Sequence, residues 1–483
     1  MLIKSIHGKI NSYQVKKNMN KYKKLLNNSL IFAIGNLGTK LVAILLVPLY
    51  TYYLTPSEYG VTDLITTSTN LLLPIVSLSI FDAVLRFVMD QDADKESVLT
   101  NGIVVSIIGS VASLLLYPVA LNFMKSDLLL PLYILLFLQI FYSIFSQFAR
   151  GIGRVSLFAS SGVIVACFLL FFNLVFIVYL KMSISGYLLS MILSTIIGIL
   201  YLVIFLKINQ YFYWKKINKK LIKMMLLYSI PLIPNSLMWW ITNASGRFFI
   251  LYYLGLSANG LYAVANKFPS LLSILYSIFF QAWQLSAIEE FDSKESGNFF
   301  STIFNFFTFV MFIGSSIFLV FLKPVLSFAV ETSYFITWKY IPFLLLGVVF
   351  SSFSSFITAS YIAAKETKGV FITSIFGALV NIIGNFILIP IFGLTGASIS
   401  VMISFFVTWI IRMRDTKSLI NLNLDKLNIC LNIALISVQI GILNLNMNTQ
   451  YELISNTVVF IFLCFINKEY IKKLLGKILS LKK

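Results

Sequence analysis

Long apolar runs alternate with short polar segments along almost the whole chain. Fourteen such runs are read, at about 28–53, 61–88, 98–122, 128–149, 157–180, 184–206, 224–252, 259–286, 299–322, 338–362, 370–390, 394–411, 427–445 and 452–467. A bilayer-spanning helix needs roughly 20 apolar residues. Membrane strands are about half that length and alternate in polarity, which these runs do not. The pattern predicts an all-α polytopic membrane protein of about 14 transmembrane helices.

One stretch occurs twice. After the first run the chain reads Tyr52-Tyr53-Leu54-Thr-Pro-Ser57-Glu-Tyr-Gly60, and later Tyr252-Tyr253-Leu254-Gly-Leu-Ser257-Ala-Asn-Gly260. The register holds through Leu71/Leu271, Leu72/Leu272 and Ser77/Ser277, giving 8 identities between 52–77 and 252–277. A weaker echo pairs Gly186-x-x-x-Ser190-x-x-x-Ser194 with Gly396-x-x-x-Ser400-x-x-x-Ser404. Small residues four apart let helices approach closely. An internal repeat between membrane-length spans points to a transporter of two related bundles. The expected division is a basic cytoplasmic tail at 1–27, a six-helix lobe at 28–206 and a basic linker at 207–223. A second six-helix lobe follows at 224–412, then helices 13 and 14 with a basic tail at 413–483.

Composition agrees: 59% of residues are hydrophobic and 11% charged, against about 25% charged in soluble domains. The net charge of +19 does not imply nucleic acid, because the cations sort by side of the membrane. With the N-terminus inside, 29 Lys and Arg fall in inside segments and 4 in outside loops: Lys125, Lys181, Lys323 and Lys339. The positive-inside rule then places both termini in the cytoplasm. Residues 1–24 hold seven Lys and no long apolar core, so no cleavable signal peptide is expected. Cys167, Cys430 and Cys464 lie in apolar spans without a C-x-x-C and read as small core residues. The one histidine, His7, lies in the basic tail.

Charge inside a bilayer is costly and marks function by default. Lys40 sits near the middle of span 1, Arg247 toward the outer part of span 7, and Lys267 in the outer third of span 8. Arg86 closes span 2, with Asp82 one turn before it, and Asp63 opens that span. Polar neighbours recur at helical spacing: Asn36 and Lys40; Trp239, Asn243 and Arg247; Asp63, Thr67, Asn70, Pro74 and Ser77; Lys267, Ser270, Ser277, Gln281 and Gln284. Residues three and four apart share a helix face. These faces are expected to converge on one cavity between the halves.

Lys and Arg there suit a phosphate, while Trp239 and Asn243 suit a sugar ring and its hydroxyls. Otherwise each cation snorkels to an interface or pairs structurally, with Asp82 the expected partner of Arg86. No acidic residue lies near Lys40 or Arg247 in sequence. Asp63 and Asp82, both in span 2, are the candidates for ion coupling. Asp90-Gln-Asp92-Ala-Asp94 has the spacing of a metal-holding pair but reads as a solvated loop. No G-x-x-x-x-G-K-[ST] is present, which leaves an H+ or Na+ gradient, or the membrane potential, as the energy source.

The string Tyr-Leu-Thr-Pro-Ser-Glu-Tyr-Gly, with Arg86-Phe87, Asn243-Ala-Ser-Gly-Arg247-Phe and Gly260-Leu-Tyr-Ala-Val-Ala-Asn-Lys267, resembles the polysaccharide-transporter family of Wzx-type flippases. These belong to the multidrug/oligosaccharidyl-lipid/polysaccharide (MOP) superfamily. The resemblance covers about residues 28–412. It implies two pseudo-symmetric, inverted six-helix lobes like those of MATE transporters and the lipid II flippase, and alternating access rather than enzymatic chemistry. It also implies an undecaprenyl-diphosphate-linked oligosaccharide as cargo, for O-antigen, lipopolysaccharide or capsule synthesis at a bacterial inner membrane. Membrane lipid and a polysaccharide polymerase of the same pathway are the implied partners. The lipid II flippase carries cations in its first, second and eighth helices, where Lys40, Arg86 and Lys267 lie here. Two other readings remain: a MATE-type cation or drug antiporter, which needs acidic cavity residues, and a membrane-embedded polymerase or glycosyltransferase, which needs a carboxylate-bearing extramembrane region.

Overall fold

The computed structural model describes residues 37–472, apart from 91, 123–125, 292, 294–295, 365, 421 and 446. Every regular element among them is helical. In chain order they are α1 (Leu37–Tyr53), α2 (Pro56–Val76), α3 (Ile80–Val88), α4 (Lys95–Leu114), α5 (Tyr117–Ala120) and α6 (Ser126–Gly151). Next come α7 (Val155–Asn173), α8 (Ser183–Leu206), α9 (Lys219–Ser229), α10 (Ile233–Ala244), α11 (Gly246–Lys267) and α12 (Pro269–Glu290). The chain ends with α13 (Ser296–Val320), α14 (Leu322–Ala329), α15 (Ile341–Ala363), α16 (Thr367–Asp415), α17 (Lys426–Leu443) and α18 (Thr449–Ile466).

Ten helical segments among the described residues are long and apolar enough to cross a membrane, or eleven if the bent pair α2–α3 is one span. Two of the ten, Lys219–Ser277 and Lys368–Ser418, are runs of 59 and 51 residues. The first contains expected span 7 and most of span 8, and the second contains spans 11 and 12 whole.

Several spans expected to be single helices are broken. Span 2 bends by 58° between α2 and α3. Pro74 removes a backbone donor just before the bend, and Leu78 and Ser79 take left-handed φ of 51° and 49°. Span 7 is α9, a 3-10 turn at Ile230–Leu232 containing Pro231, and then α10. At the gaps expected between spans 7 and 8 and between spans 11 and 12, α11 breaks at Gly255 (φ 83°) and α16 at Gly393 (φ 59°), conformations open to glycine. Residue 255 is the repeat partner of Thr55, where α1 ends and α2 begins. Both copies of the repeat therefore break at the same place.

The fold divides into two compact units. One holds the described part of Met1–Leu46 together with Ser68–Ile233. Its core joins Ile80, Val84 and Val88 of α3 to Leu99 of α4, Leu136, Ile140 and Phe148 of α6, and Leu202 of α8. The segment between α8 and α9 is strapped onto α4. Asn101, fully buried, accepts from the Asn218 amide at 2.9 Å and donates to the Lys216 carbonyl at 3.2 Å.

The other unit is Val47–Thr67 with Pro234–Lys483. Its centre is aromatic. Trp283 stacks on Phe356 at 4.1 Å and donates from Nε1 to the Phe356 carbonyl at 3.1 Å, with Phe279, Phe304, Phe307 and Phe353 around them. The second small-residue stripe binds the two arms of α16 together. Ser400 Oγ donates to the Asn381 carbonyl at 2.9 Å, and Ser404 Oγ to the Gly377 carbonyl at 2.7 Å.

The hairpin α17–α18 is bolted on by polar groups. Asn428, Asn432 and Asn467 form a closed ring in which each amide donates to the next, at 2.6–3.2 Å. Ser316 of α13 donates to Gln439 Oε1 at 2.8 Å. The cysteines do not fill cores as expected: Cys167 and Cys430 are exposed and Cys464 half-buried. A lipid-facing helix surface suits a small apolar thiol equally well.

Candidate functional site

Within the second unit, the segment Leu54–Thr67 lies along residues of the second repeat. Gly60 and Gly260 meet backbone to backbone. A Cβ on Gly60 would overlap the Leu256 carbonyl oxygen, and one on Gly260 the Pro56 carbonyl oxygen. Because 56 and 256 are also repeat partners, the crossing is two-fold in character. Asn259 Nδ2 donates to the Gly60 carbonyl at 3.0 Å, and Tyr334 Oη to the Leu54 carbonyl at 2.8 Å. Trp240 Nε1 donates to the Thr67 carbonyl at 3.1 Å.

On this face the Arg247 Nε lies 2.5 Å from Asp63 Oδ2, with side chains 16% and 11% exposed. Arg247 Nη1 also donates to the Asn243 carbonyl at 3.3 Å, which keeps part of the 239–243–247 stripe together across the helix break. Tyr59 and Tyr262 lie close enough to act on the guanidinium electrostatically. The repeat partners of Asp63 and Arg247 are Ala263 and Val47, both buried and apolar. The ion pair thus belongs to one side of an otherwise symmetric crossing.

The other expected residues are distributed as follows. Lys40 is exposed on α1 and makes no ion pair among the described residues. Lys267 closes α11, half-buried. Asn36 lies outside the described residues, as do the side chains of Trp239 and Gln281.

One expectation is corrected: Arg86 does not pair with Asp82. It pairs with Asp90, one turn later, where both side chains are about half exposed. Asp82 faces the half-buried side of α3, and the cation acting on it is Arg150 of α6. An exposed partner costs Arg86 little desolvation, whereas Asp82 would draw it inward. In the acidic loop, Asp94 caps α4 by accepting from Ser97 and pairs with Lys216 at 2.7 Å. The hydrogen bond from Lys216 is the main reason its carboxyl is held below the usual aspartate value.

Two functional-looking groups are not evident from the sequence. Arg412 is buried, and its guanidinium donates to Thr373, Ser354, Thr358 and Ser374 at 2.7–3.0 Å. The apolar run of span 12 ends just before it. The stripe Ser400, Ser404, Thr408, Arg412, each four apart, is the signal that it continues the packed face. Asn381 and Asn385 form a buried amide pair beside Ser245 and Gly246, with Asn381 Nδ2 and Asn385 Oδ1 left without a partner among the described residues.

Compared with solved structures, the chain is similar to the lipid II flippase MurJ in an inward closed conformation: 15% identity, TM-score 0.70, covering 92% of this chain and 100% of that one. It is also similar to an inward-facing multidrug resistance MATE family transporter of the MOP superfamily, at 14% identity and TM-score 0.66, covering 79% and 95%. A MOP superfamily transporter from Pyrococcus furiosus follows at 16%, TM-score 0.57, with 82% and 96% covered. Compared by sequence with curated proteins, the chain matches none.

Fold and apolar spans together define a multi-pass membrane protein with the helical fold seen in the MurJ and MATE structures. More particularly, the family described as "Polysaccharide biosynthesis protein" matches residues 25–284, more than half of the chain, and the chain belongs to that family.

Proposed function

We propose that the protein is a flippase that carries an undecaprenyl-diphosphate-linked oligosaccharide repeat unit from the inner to the outer leaflet of a bacterial inner membrane. The supporting observation is the excess of cations over acids in its spans. Asp63 is taken up by Arg247, while Lys40 is exposed without an ion-pair partner among the described residues. A diphosphate needs that balance, and a cationic drug needs the reverse. The family's link to polysaccharide biosynthesis supplies the sugar.

In this reading Lys40, Arg247, Lys267 and Arg86 attract the diphosphate, and Asn36, Trp239, Asn243 and Gln281 hold the glycan. The lipid tail stays in the bilayer during alternating access. A gradient of H+ or Na+, or the membrane potential, drives the cycle, with Asp63 the coupling candidate. Both termini and the 215–220 segment face the cytoplasm, and the polymerase of the pathway receives the product.

The test is export in cells lacking the native protein. Lys40→Ala and Arg247→Ala should abolish it at normal protein levels, with Lys40→Arg partly active. Full export by Lys40→Gln would remove Lys40 from the diphosphate site. In proteoliposomes, Asp63→Asn should transport without responding to an imposed pH or sodium gradient; a response like the parent's places coupling elsewhere. Efflux of cationic dyes by the parent would favour the drug-antiporter reading instead.

A further inference from the structure

The face that residues 54–67 present to the second repeat carries contacts of two kinds. At Leu54, Gly60 and Thr67 the first-repeat group is a backbone carbonyl, held by Tyr334, Asn259 and Trp240. At Gly60 and Gly260 the contact is backbone packing. None of these contacts involves a charged side chain. The fifth contact, Asp63 with Arg247, is the one ion pair on this face among the described residues, and the repeat symmetry does not require it.

A carboxylate and a phosphate oxygen compete for the same guanidinium donors. Arg247 has five N–H donors, of which one on Nε and one on Nη1 are in use among the described residues. The residual exposure of the pair leaves it reachable. By the charge bias of the loops, this face lies toward the outside.

We propose that Asp63 occupies on Arg247 the place of the cargo's phosphate, and that an arriving diphosphate displaces it and unlatches residues 54–67 from the second repeat. The inference rests on the diphosphate reading of the cargo. Asp63 then acts in two ways. It neutralises Arg247 while the site is empty, and it holds the outer side shut. Displacement costs one ion pair and regains a stronger one, so the latch opens for a polyanion and stays closed otherwise.

The experiment uses purified full-length protein in nanodiscs with two probes, undecaprenyl diphosphate and inorganic pyrophosphate. Removing the internal competitor should tighten binding, so Asp63→Asn should bind undecaprenyl diphosphate about tenfold more tightly than the parent. Arg247→Gln should bind it more weakly than the parent. Tightening with pyrophosphate as well means that the anion alone is read; tightening only with the lipid means that the tail contributes. Both outcomes support the proposal.

For the latch, Thr62→Cys is placed in a chain whose three native cysteines are replaced by alanine, since Thr62 is fully buried. Its labelling by a thiol reagent should be slow, and faster with undecaprenyl diphosphate or with Asp63→Asn. If the parent binds undecaprenyl diphosphate and Asp63→Asn binds it no more tightly, the displacement idea is overturned while the flippase reading stands. If neither protein binds it, the diphosphate reading falls and takes the latch with it.

Discussion

Gly60 and Gly260, the same position in the two repeats, pack against one another's helix so closely that neither has room for a methyl group. The atoms in the way are the carbonyl oxygens of Leu256 and Pro56, which cannot rotate aside as a side chain would. Gly60→Ala and Gly260→Ala should therefore each push α2 and α11 apart, at a cost of about 1–3 kcal/mol or more. Gly441 in α17 is the control, because nothing lies within 4 Å of its added Cβ. Gly441→Ala should be neutral or stabilising, by up to about 1 kcal/mol. Thermal unfolding midpoints in detergent measure all three; equal behaviour of Gly60→Ala and Gly441→Ala would contradict the close crossing.

Arg412 offers a second test. Its charge is solvated by hydroxyls of α15 and α16 rather than by a carboxylate. Hydrogen bonds to a charged group contribute about 1.5–3 kcal/mol each, and are not additive. Arg412→Met should destabilise by roughly 3 kcal/mol or more, since several buried hydroxyls lose their donor together. Arg412→Lys should recover only part, because an ammonium cannot span the positions that the planar guanidinium reaches. Folded yield and unfolding midpoint are the measurements, and full recovery by Lys would show that charge alone matters there.

Element existence is readable because bilayer thickness imposes a length on each apolar run, and that length is local in sequence. The repeat is readable for a related reason: Leu54–Gly60 and Leu254–Gly260 carry the same helix break and the same glycine crossing. Breaks inside spans are harder, since Leu78 and Ser79 carry no glycine to announce a left-handed backbone. Ion pairs are the least readable. Asp63 and Arg247 lie 184 positions apart, and no periodicity connects them. Arg86 has two carboxylates one turn away, Asp82 and Asp90, and spacing alone cannot say which side is buried. Of the candidate residues, the structure joins Asp63 to Arg247 and separates Arg86 from Asp82.

The strap between α8 and α9 should respond to pH. Asp94 is held below its ordinary value of 3.8, chiefly by the bond from Lys216, so the folded chain binds its proton more weakly than the unfolded chain does. Its contribution is complete above that ordinary value and is lost as pH falls below it, toward the lower folded value. Lys216 is raised above 10.5 by the same bond, so its contribution fades only as pH rises beyond that range. The pair is exposed and small in effect; Asn101 is the buried anchor. Asn101→Ala should open the strap by about 1–3 kcal/mol, leaving the Asn218 amide and Lys216 carbonyl unmet. Hydrogen-exchange protection of the Asn218 amide should drop in Asn101→Ala at neutral pH, and drop less in Asp94→Asn. Unchanged protection in Asn101→Ala would mean that the strap is held elsewhere.

Lys323 and Glu452 fasten the last hairpin to the end of α13–α14. Lys323 Nζ lies 2.5 Å from Glu452 Oε2 and 2.9 Å from the Leu443 carbonyl, and 4.0 Å above the Trp338 ring. Both side chains are largely buried, so each charge depends on its partner. Lys323→Met strands the Glu452 carboxylate and should cost about 3–5 kcal/mol. Glu452→Gln should cost less, about 1–3 kcal/mol, because the ammonium keeps the Leu443 carbonyl and the Trp338 face. The double variant Lys323→Met with Glu452→Leu removes both charges and should be more stable than Lys323→Met alone. That inversion separates a buried pair from two independent contacts, whose costs would simply add. Unfolding midpoints of these variants and of the single Glu452→Leu, with protease cleavage at 444–449 as a local readout of hairpin release, decide between them. A double variant as unstable as the sum of its singles would show that Lys323 and Glu452 act separately.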